Sequence, residues 1–206
     1  MAKRAKVKSH EVFLNVPYDD PFAPLYLAYI VAVSSFGLVP RATIGLAGVT
    51  RLDRIARLIE SCPYSVHDLS RVQLDRTQPA TPRFNMPFEL GLAVGWARSR
   101  AGRMHRWIVF ESKLRRIQKS LSDLNGSDPY IHGGTVRGVV REMRNAFISF
   151  NKQPTVPVMM EIYNELAANI PAIKRSTGSK SVFTAGCFTE LSFAAAALAR
   201  KHGILP

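Results

Sequence analysis

Two carboxylates, Asp68 and Glu89, occupy positions at which an enzyme could use them. Asp68 ends an apolar segment with a strand pattern, and Glu89 falls in the first turns of a segment with a helical pattern. In glycosidic cleavage, one carboxylate stabilises an oxocarbenium-like state while a second group assists the departing base. Each residue also has a structural interpretation, because strand-end aspartates cap turns and a glutamate early in a helix is favoured by the helix dipole. The pair predicts catalysis if further polar groups converge on it.

Such groups lie close to both carboxylates in the sequence. A first apolar segment ends in NVPYDD (residues 15–20), and RFN (residues 83–85) precedes the helix that carries Glu89. Amides can donate to a substrate, aromatic rings can stack on a base, and arginines, Arg71 included, can bind phosphate. The predicted substrate-binding residues are Asn15, Tyr18, Asp20, Arg83, Phe84 and Asn85.

Four further candidates are weaker. His67 could act as a general acid or face a helix, and GLAG (residues 45–48) matches no phosphate-binding motif and is interpreted as the rim of the site. HGG (residues 132–134) could present backbone N–H groups to a phosphate, although a plain strand–turn–helix connection is favoured. Ser70 has no paired base nearby in the sequence, which disfavours a Ser/His/Asp hydrolase.

The elements that position these residues alternate between strand and helix. Strands are predicted to begin near Val12, Leu38, Tyr64, Arg106 and Pro129. Helical segments separate them, including residues 51–62, 86–97 and 113–124. Fivefold alternation predicts a flavodoxin-like, doubly wound α/β fold with a five-stranded parallel sheet in the order 2-1-3-4-5. In such a sheet ligands bind at the carboxyl ends of the strands, which is where the candidate residues fall.

We expect three regions: a basic leader over residues 1–10, the α/β domain over 11–152 and a helical extension over 153–206. The extension carries two helical segments, 158–170 and 181–202. The second ends in an alanine-rich run, which needs another apolar surface to pack against. A dimer surface is one interpretation of that run, so a homo-oligomer is an open alternative.

Composition excludes several classes of protein. The chain has 206 residues with 47% hydrophobic and 21% charged residues, as in an ordinary globular domain. No apolar stretch is long enough to span a membrane or to form a signal-peptide core. Two distant cysteines, Cys62 and Cys187, with no Cys/His cluster, argue against a disulfide scaffold and a metal site. We therefore expect a cytoplasmic protein without a metal or cofactor.

The net charge of +13 is concentrated locally. The leader is basic, and residues 98–119 carry eight Lys and Arg residues against the single Glu111. The second stretch has neither the interleaved aromatics nor the helix-turn-helix pattern of a nucleic-acid binder. A solvated face or a docking surface for an acidic protein partner is the favoured interpretation, and nucleic-acid binding is disfavoured.

Several of these strings resemble known sequences. NMPFELGLA (residues 85–93) resembles the start of the catalytic helix of nucleoside 2-deoxyribosyltransferases, in which a Glu precedes Leu-Gly and a small residue. VFLNVPYDD (residues 12–20) is similar to the first strand and loop of that family and of bacterial TIR-like proteins. RLDRI (residues 51–55) and SVHDLS (residues 65–70) resemble a bacterial TIR-like subgroup. The resemblance covers about residues 10–150 and leaves the extension outside it.

The resemblance implies an N-glycosidase whose substrate is NAD, another nucleotide or a nucleoside. It assigns to Glu89 the role of the catalytic glutamate at the anomeric carbon, and to Asp68 that of a strand-end aspartate that contacts the sugar or helps the base leave. The transferases usually have a Gly-Thr or similar small pair before the helix, where this sequence has NMP (residues 85–87). Hydrolysis, NAD cleavage and nucleotide binding are therefore alternatives to base exchange. The resemblance also implies a role as an effector in bacterial phage defence, and a non-catalytic nucleotide-sensing or assembly module is the alternative.

Overall fold

The predicted sheet is confirmed in a computed structural model, which describes residues 10–45, 50–72, 78–102, 104–124, 126–150 and 153–205. Five strands, all parallel, are ordered β2-β1-β3-β4-β5. The strands are β1 (Glu11–Asn15), β2 (Val39–Arg41), β3 (Tyr64–Asp68), β4 (Arg106–Glu111) and β5 (Tyr130–Ile131). Nearly all of the predicted leader, and most of the GLAG segment, lie outside the described residues.

The helices follow the predicted order. They are α1 (Ala23–Ser35), α2 (Arg51–Ser61), α3 (Asn85–Arg98), α4 (Arg116–Ser120), α5 (Val136–Ala146), α6 (Val156–Ser176) and α7 (Ala185–Lys201). The predicted helix over residues 113–124 is wrong in its extent. Arg115 has a left-handed backbone (φ 63°) that cannot continue a helix from its N-terminal side, so α4 begins only at Arg116.

The extension packs on the same chain. Helix α1 is apolar all round, so that its residues 25–35 are all buried, on the sheet side and on the outer side alike. Helices α6 and α7 cover its outer side, and their buried residues share one hydrophobic core with α1, β1 and β3. The alanine-rich run therefore finds its packing partner within the chain.

The two faces of the sheet carry different helices, and this decides where the side chains of β3 go. Val66 belongs to the core that contains α1 and α5. His67 packs edge-on against Phe13, which belongs to the cluster formed with α2 and α3. Because successive side chains alternate across a strand, Asp68 faces α1 and His67 faces α3.

No helix in the described ranges has the length and apolarity needed to cross a membrane.

Candidate functional site

A polar pocket of about 410 Å³ lies above the carboxyl ends of β1 and β3. In the strand order 2-1-3-4-5 this is the point where the order reverses, the usual place for a ligand in an open parallel sheet. Its walls come from the segment after β1, the start of α2, the segment after β3 and the start of α3. The lining residues are Val16, Pro17, Tyr18, Arg51, Arg71, Arg83, Asn85 and Met86.

Glu89 is not itself a lining residue, and it lies one helical turn beyond the lining residue Asn85, behind the wall of this pocket. Its side chain is only 3% exposed, and one carboxylate oxygen lies 3.4 Å from the Arg51 guanidinium. Burial raises the pKa of the Glu89 carboxyl, and Arg51 and a hydrogen bond with Asn85 oppose that rise. Glu89 therefore contacts two polar residues that line the pocket, Arg51 and Asn85, and is not enclosed by apolar side chains alone.

Arginines dominate the charge of the pocket. Asp19 binds two of them, with distances of 3.3 Å to Arg71 and 3.1 Å to Arg83. Together with Arg51 and Glu89, the group has three positive and two negative charges. The excess of positive charge suits an anionic ligand.

Asp19, not Asp20, is the acidic residue that the structure brings to this group. The Asp19 carboxylate accepts the backbone N–H of Phe22 at 3.1 Å and so caps the short 3-10 turn that follows β1. Asp20 lies inside that turn, is exposed, and is not among the residues that line the pocket. The sequence does not distinguish the two neighbouring aspartates, because either side chain could cap a turn at this point.

Tyr18 lines the pocket as expected and is held on two sides by aromatic rings. The ring centroids of Tyr26 and Phe183 lie 6.0 and 5.9 Å from that of Tyr18. Burial raises the pKa of the Tyr18 phenol to about 12, so it is protonated at neutral pH. Phe183 belongs to the extension, which the family resemblance does not cover. By contrast, Phe84 is 67% exposed and does not line the pocket.

Asp68 does not open onto the pocket, which corrects the expectation that both carboxylates share it. The side chain is 0% exposed and accepts hydrogen bonds from the Tyr29 hydroxyl (2.7 Å) and the Ser70 backbone N–H (2.8 Å). His132 Nε2 lies 3.2 Å from its Oδ2. The physical reason is the alternation along β3, which turns Asp68 toward α1 while Glu89 lies in the layer on the other face.

Ser70 does have a histidine partner, which the sequence concealed because His132 is 62 residues away. The Ser70 hydroxyl and His132 Nε2 are 2.9 Å apart. The backbone N–H of Gly134 donates to His132 Nδ1 at 3.0 Å, so a neutral His132 carries its proton on Nε2. A protonated Nε2 has no lone pair to take the Ser70 proton, and this arrangement is not that of an activated nucleophile. The turn uses the Gly134 amide internally, which disfavours a phosphate site there.

A second polar group lies on the opposite face of β3. It consists of the side chains of Asn15, His67, Ser65 and His105 and the carbonyl of Cys62, and we call it the buried network. Its successive distances are 3.0, 2.9, 2.9 and 2.8 Å. Burial lowers the pKa of His67 to about 3 and also lowers that of His105. His67 is therefore neutral and occupied at both nitrogens, which argues against its role as a general acid.

Strand β4 divides the described part of the basic stretch over residues 98–119 in two. The first part leads into β4 at the amino end of the sheet, and the second part follows β4 at the carboxyl end. In the second part, Arg116 is bound to the buried Glu111 and to the carbonyl of Leu69. Docking of an acidic partner remains a prediction.

No group of three or more His, Cys, Asp or Glu residues within the described ranges is arranged to hold a metal ion. Comparison of the whole chain with protein-family models, curated proteins and solved structures finds no match.

Proposed function

We propose that this protein is an N-glycosidase that cleaves the bond between sugar and base in a phosphate-bearing nucleotide, with NAD as the first candidate. The observation that carries the proposal is the position of Glu89, a buried carboxylate directly behind an arginine-lined pocket at the switch point of the sheet, in contact with the lining residues Arg51 and Asn85. The resemblance of residues 85–93 to a catalytic helix points to the same residue.

Glu89 would act by its negative charge. As the bond between C1′ and the base breaks, its electron pair leaves with the base and positive charge develops on the sugar. A nearby carboxylate shielded from water stabilises that charge, and Glu89 has this character. Arg51 opposes the effect of burial on the Glu89 pKa and so favours the ionised form. In hydrolysis, water then adds to C1′ and loses a proton to the solvent. In transfer, a second base adds through a ring nitrogen and loses the proton of that nitrogen.

The proposal needs one carboxylate and not two. Nicotinamide leaves as a neutral molecule and requires no proton, whereas many other bases do. Asp68, the expected second carboxylate, is enclosed by Tyr29, Ser70 and His132. The geometry therefore favours a substrate whose base leaves unprotonated.

The arginines favour a nucleotide over a free nucleoside. Arg71 and Arg83 are both held by Asp19, so their planar guanidinium groups are oriented before a ligand arrives. Guanidinium groups bind phosphate oxygens through charge-assisted and often bidentate hydrogen bonds. A nucleoside has no phosphate group for these arginines to bind.

The test is release of free base, measured by chromatography after incubation of the full chain with NAD, a nucleoside monophosphate and a nucleoside. We expect release from a phosphate-bearing substrate, and its loss in Glu89→Gln. Glu60→Gln is the matched control, because Glu60 is an exposed glutamate on α2. Absence of release from all three substrates, with a folded protein, would contradict the proposal.

A second candidate function is nucleotide sensing without catalysis. It is favoured by the ion pair between Arg51 and Glu89, which satisfies the carboxylate without a substrate. Calorimetry separates the two functions, since a sensor binds NAD or its fragments and releases no base. A role in phage defence, and assembly into a homo-oligomer, rest on the sequence resemblance and the extension respectively and stay proposals.

A further inference from the structure

The donors and acceptors of the buried network can be assigned from its last member, because the carbonyl of Cys62 can only accept. His105 must carry a proton on Nδ1 to donate to that carbonyl, so in its neutral form Nε2 accepts from the Ser65 hydroxyl. The Ser65 oxygen then accepts from Nε2–H of His67, whose bare Nδ1 accepts from the Asn15 amide nitrogen. Every link is satisfied with both imidazoles neutral and in opposite tautomers.

The network ends at the level of the candidate site. Phe13 on β1 and Ala93 on α3 belong to the same apolar cluster. Asn15 lies two strand residues beyond Phe13, about 6.6 Å toward the carboxyl edge. Glu89 lies four helical residues before Ala93, about 6 Å toward the same edge, because α3 returns antiparallel to the strands. Asn15, which was expected to bind substrate, is buried and is not itself a lining residue, but it directly precedes Val16, which lines the pocket.

We propose that Ser65, His67 and His105 are positioning residues that hold the Asn15 amide in one orientation, its nitrogen toward His67 and its Oδ1 turned away. An asparagine amide has two orientations of nearly equal shape and opposite hydrogen-bonding character. The network selects the one that presents an acceptor away from His67, which suits a hydroxyl donor such as that of a ribose. This last step rests on the proposed function, whereas the orientation of the amide does not.

Nitrogen NMR of the uniformly labelled full chain at pH 7 tests the assignment directly. We expect His67 to be protonated on Nε2 alone and His105 on Nδ1 alone. The same tautomer in both residues, or a doubly protonated ring in either, would overturn the inference. This measurement needs no variant and no activity.

Ser65→Ala tests whether the network positions Asn15. Ser65 does not line the pocket, and its loss removes the acceptor for His67 Nε2–H. We expect altered His67 ring and Asn15 side-chain amide resonances, and about a tenfold lower kcat/KM for base release, the factor that one hydrogen bond of ordinary strength supplies. Ser35→Ala is the control, because its hydroxyl is equally buried and has no hydrogen-bond partner in the described residues.

The outcomes separate this inference from the proposed function. Unchanged Asn15 resonances and unchanged kcat/KM in Ser65→Ala would overturn the positioning role. Absence of base release in the wild type would refute the N-glycosidase, and the tautomers and the Asn15 amide resonances would still decide the inference. If Ser65→Ala does not fold, Ser65→Thr, which keeps the hydroxyl, is expected to retain both the resonances and the rate. An altered His67 tautomer in that variant would contradict the assignment.

Discussion

Replacing Glu89 by Gln should remove base release with little effect on folding. Gln keeps the shape of the side chain and can still accept from Arg51 and Asn85, but it has no negative charge to offer a developing oxocarbenium ion. For a site as shielded as this one, at 3% exposure, an effective dielectric constant of about 20 and a separation of about 4 Å give roughly 4 kcal/mol. That energy corresponds to about a thousandfold loss in kcat.

The same substitution should change the free energy of unfolding only slightly. The Arg51 partner is 57% exposed, and pairs with an exposed member are worth about 0–1 kcal/mol. Burial raises the pKa of Glu89, so its ionised form costs stability at neutral pH and its removal offsets part of the lost ion pair. We expect the Tm to stay within about 3 °C of the wild type.

The assay is base release from NAD by wild type, Glu89→Gln and the control Glu60→Gln, each with a thermal unfolding curve. A Glu89→Gln protein that keeps wild-type kcat would refute the catalytic role of the charge. A loss of kcat accompanied by a Tm drop of 10 °C or more would instead assign a structural role to Glu89.

Three further predictions follow from other parts of the structure. Arg83→Ala should raise KM for NAD about tenfold and leave KM for a nucleoside unchanged, as steady-state kinetics would show; equal effects on both would argue against phosphate binding. Asp68→Ala should lower the free energy of unfolding by about 3 kcal/mol, measured in urea, because it leaves Tyr29 and His132 without their buried acceptor. The free energy of unfolding should fall as the pH drops from about 6.5 toward 3, by up to about 1.4 kcal/mol per pH unit. In this range His67 binds a proton in the unfolded chain but not in the folded protein, where its pKa is about 3. Urea titrations at pH 7 and 5 should show this slope reduced in His67→Gln, and an unchanged slope would contradict it.

The α/β fold was predictable because its signals are local. Apolar runs closed by Pro and Gly mark the strands, and Thr50 caps α2 through a side-chain bond that depends on residues three apart. The alternation of strand and helix then leaves few ways to connect a parallel sheet. Helix limits were less predictable. Helix α4 is shorter than expected because its start depends on the left-handed backbone at Arg115, which the residue type does not reveal. Helix α6 continues to Ser176, beyond the predicted end at residue 170, and α7 begins at Ala185 and not at residue 181.

The site was predictable in position and less so in membership. The carboxyl edge of a parallel sheet gathers the segments after β1 and β3, so Tyr18, Arg83 and Asn85 were expected at one place and are found there. Asp68 and His67 are adjacent in sequence and their side chains face opposite helix layers. Which of the two faces the pocket side depends on which helices cover which face of the sheet. The sequence pattern shows that side chains alternate along the strand, but it does not show which of the two sets faces which helix layer.

The sequence by itself determined the order of the elements, the sheet and the edge at which polar residues collect, because hydrophobic period, caps and turn residues act over a few positions. Only the tertiary structure decided which buried polar side chains form hydrogen bonds with one another. Tyr29 and Asp68 are 39 residues apart, Asn15 and His67 52, and Ser70 and His132 62. Hydrogen bonds need both partners within about 3 Å and correctly directed, a condition that depends on the packing of whole layers and that no local pattern contains.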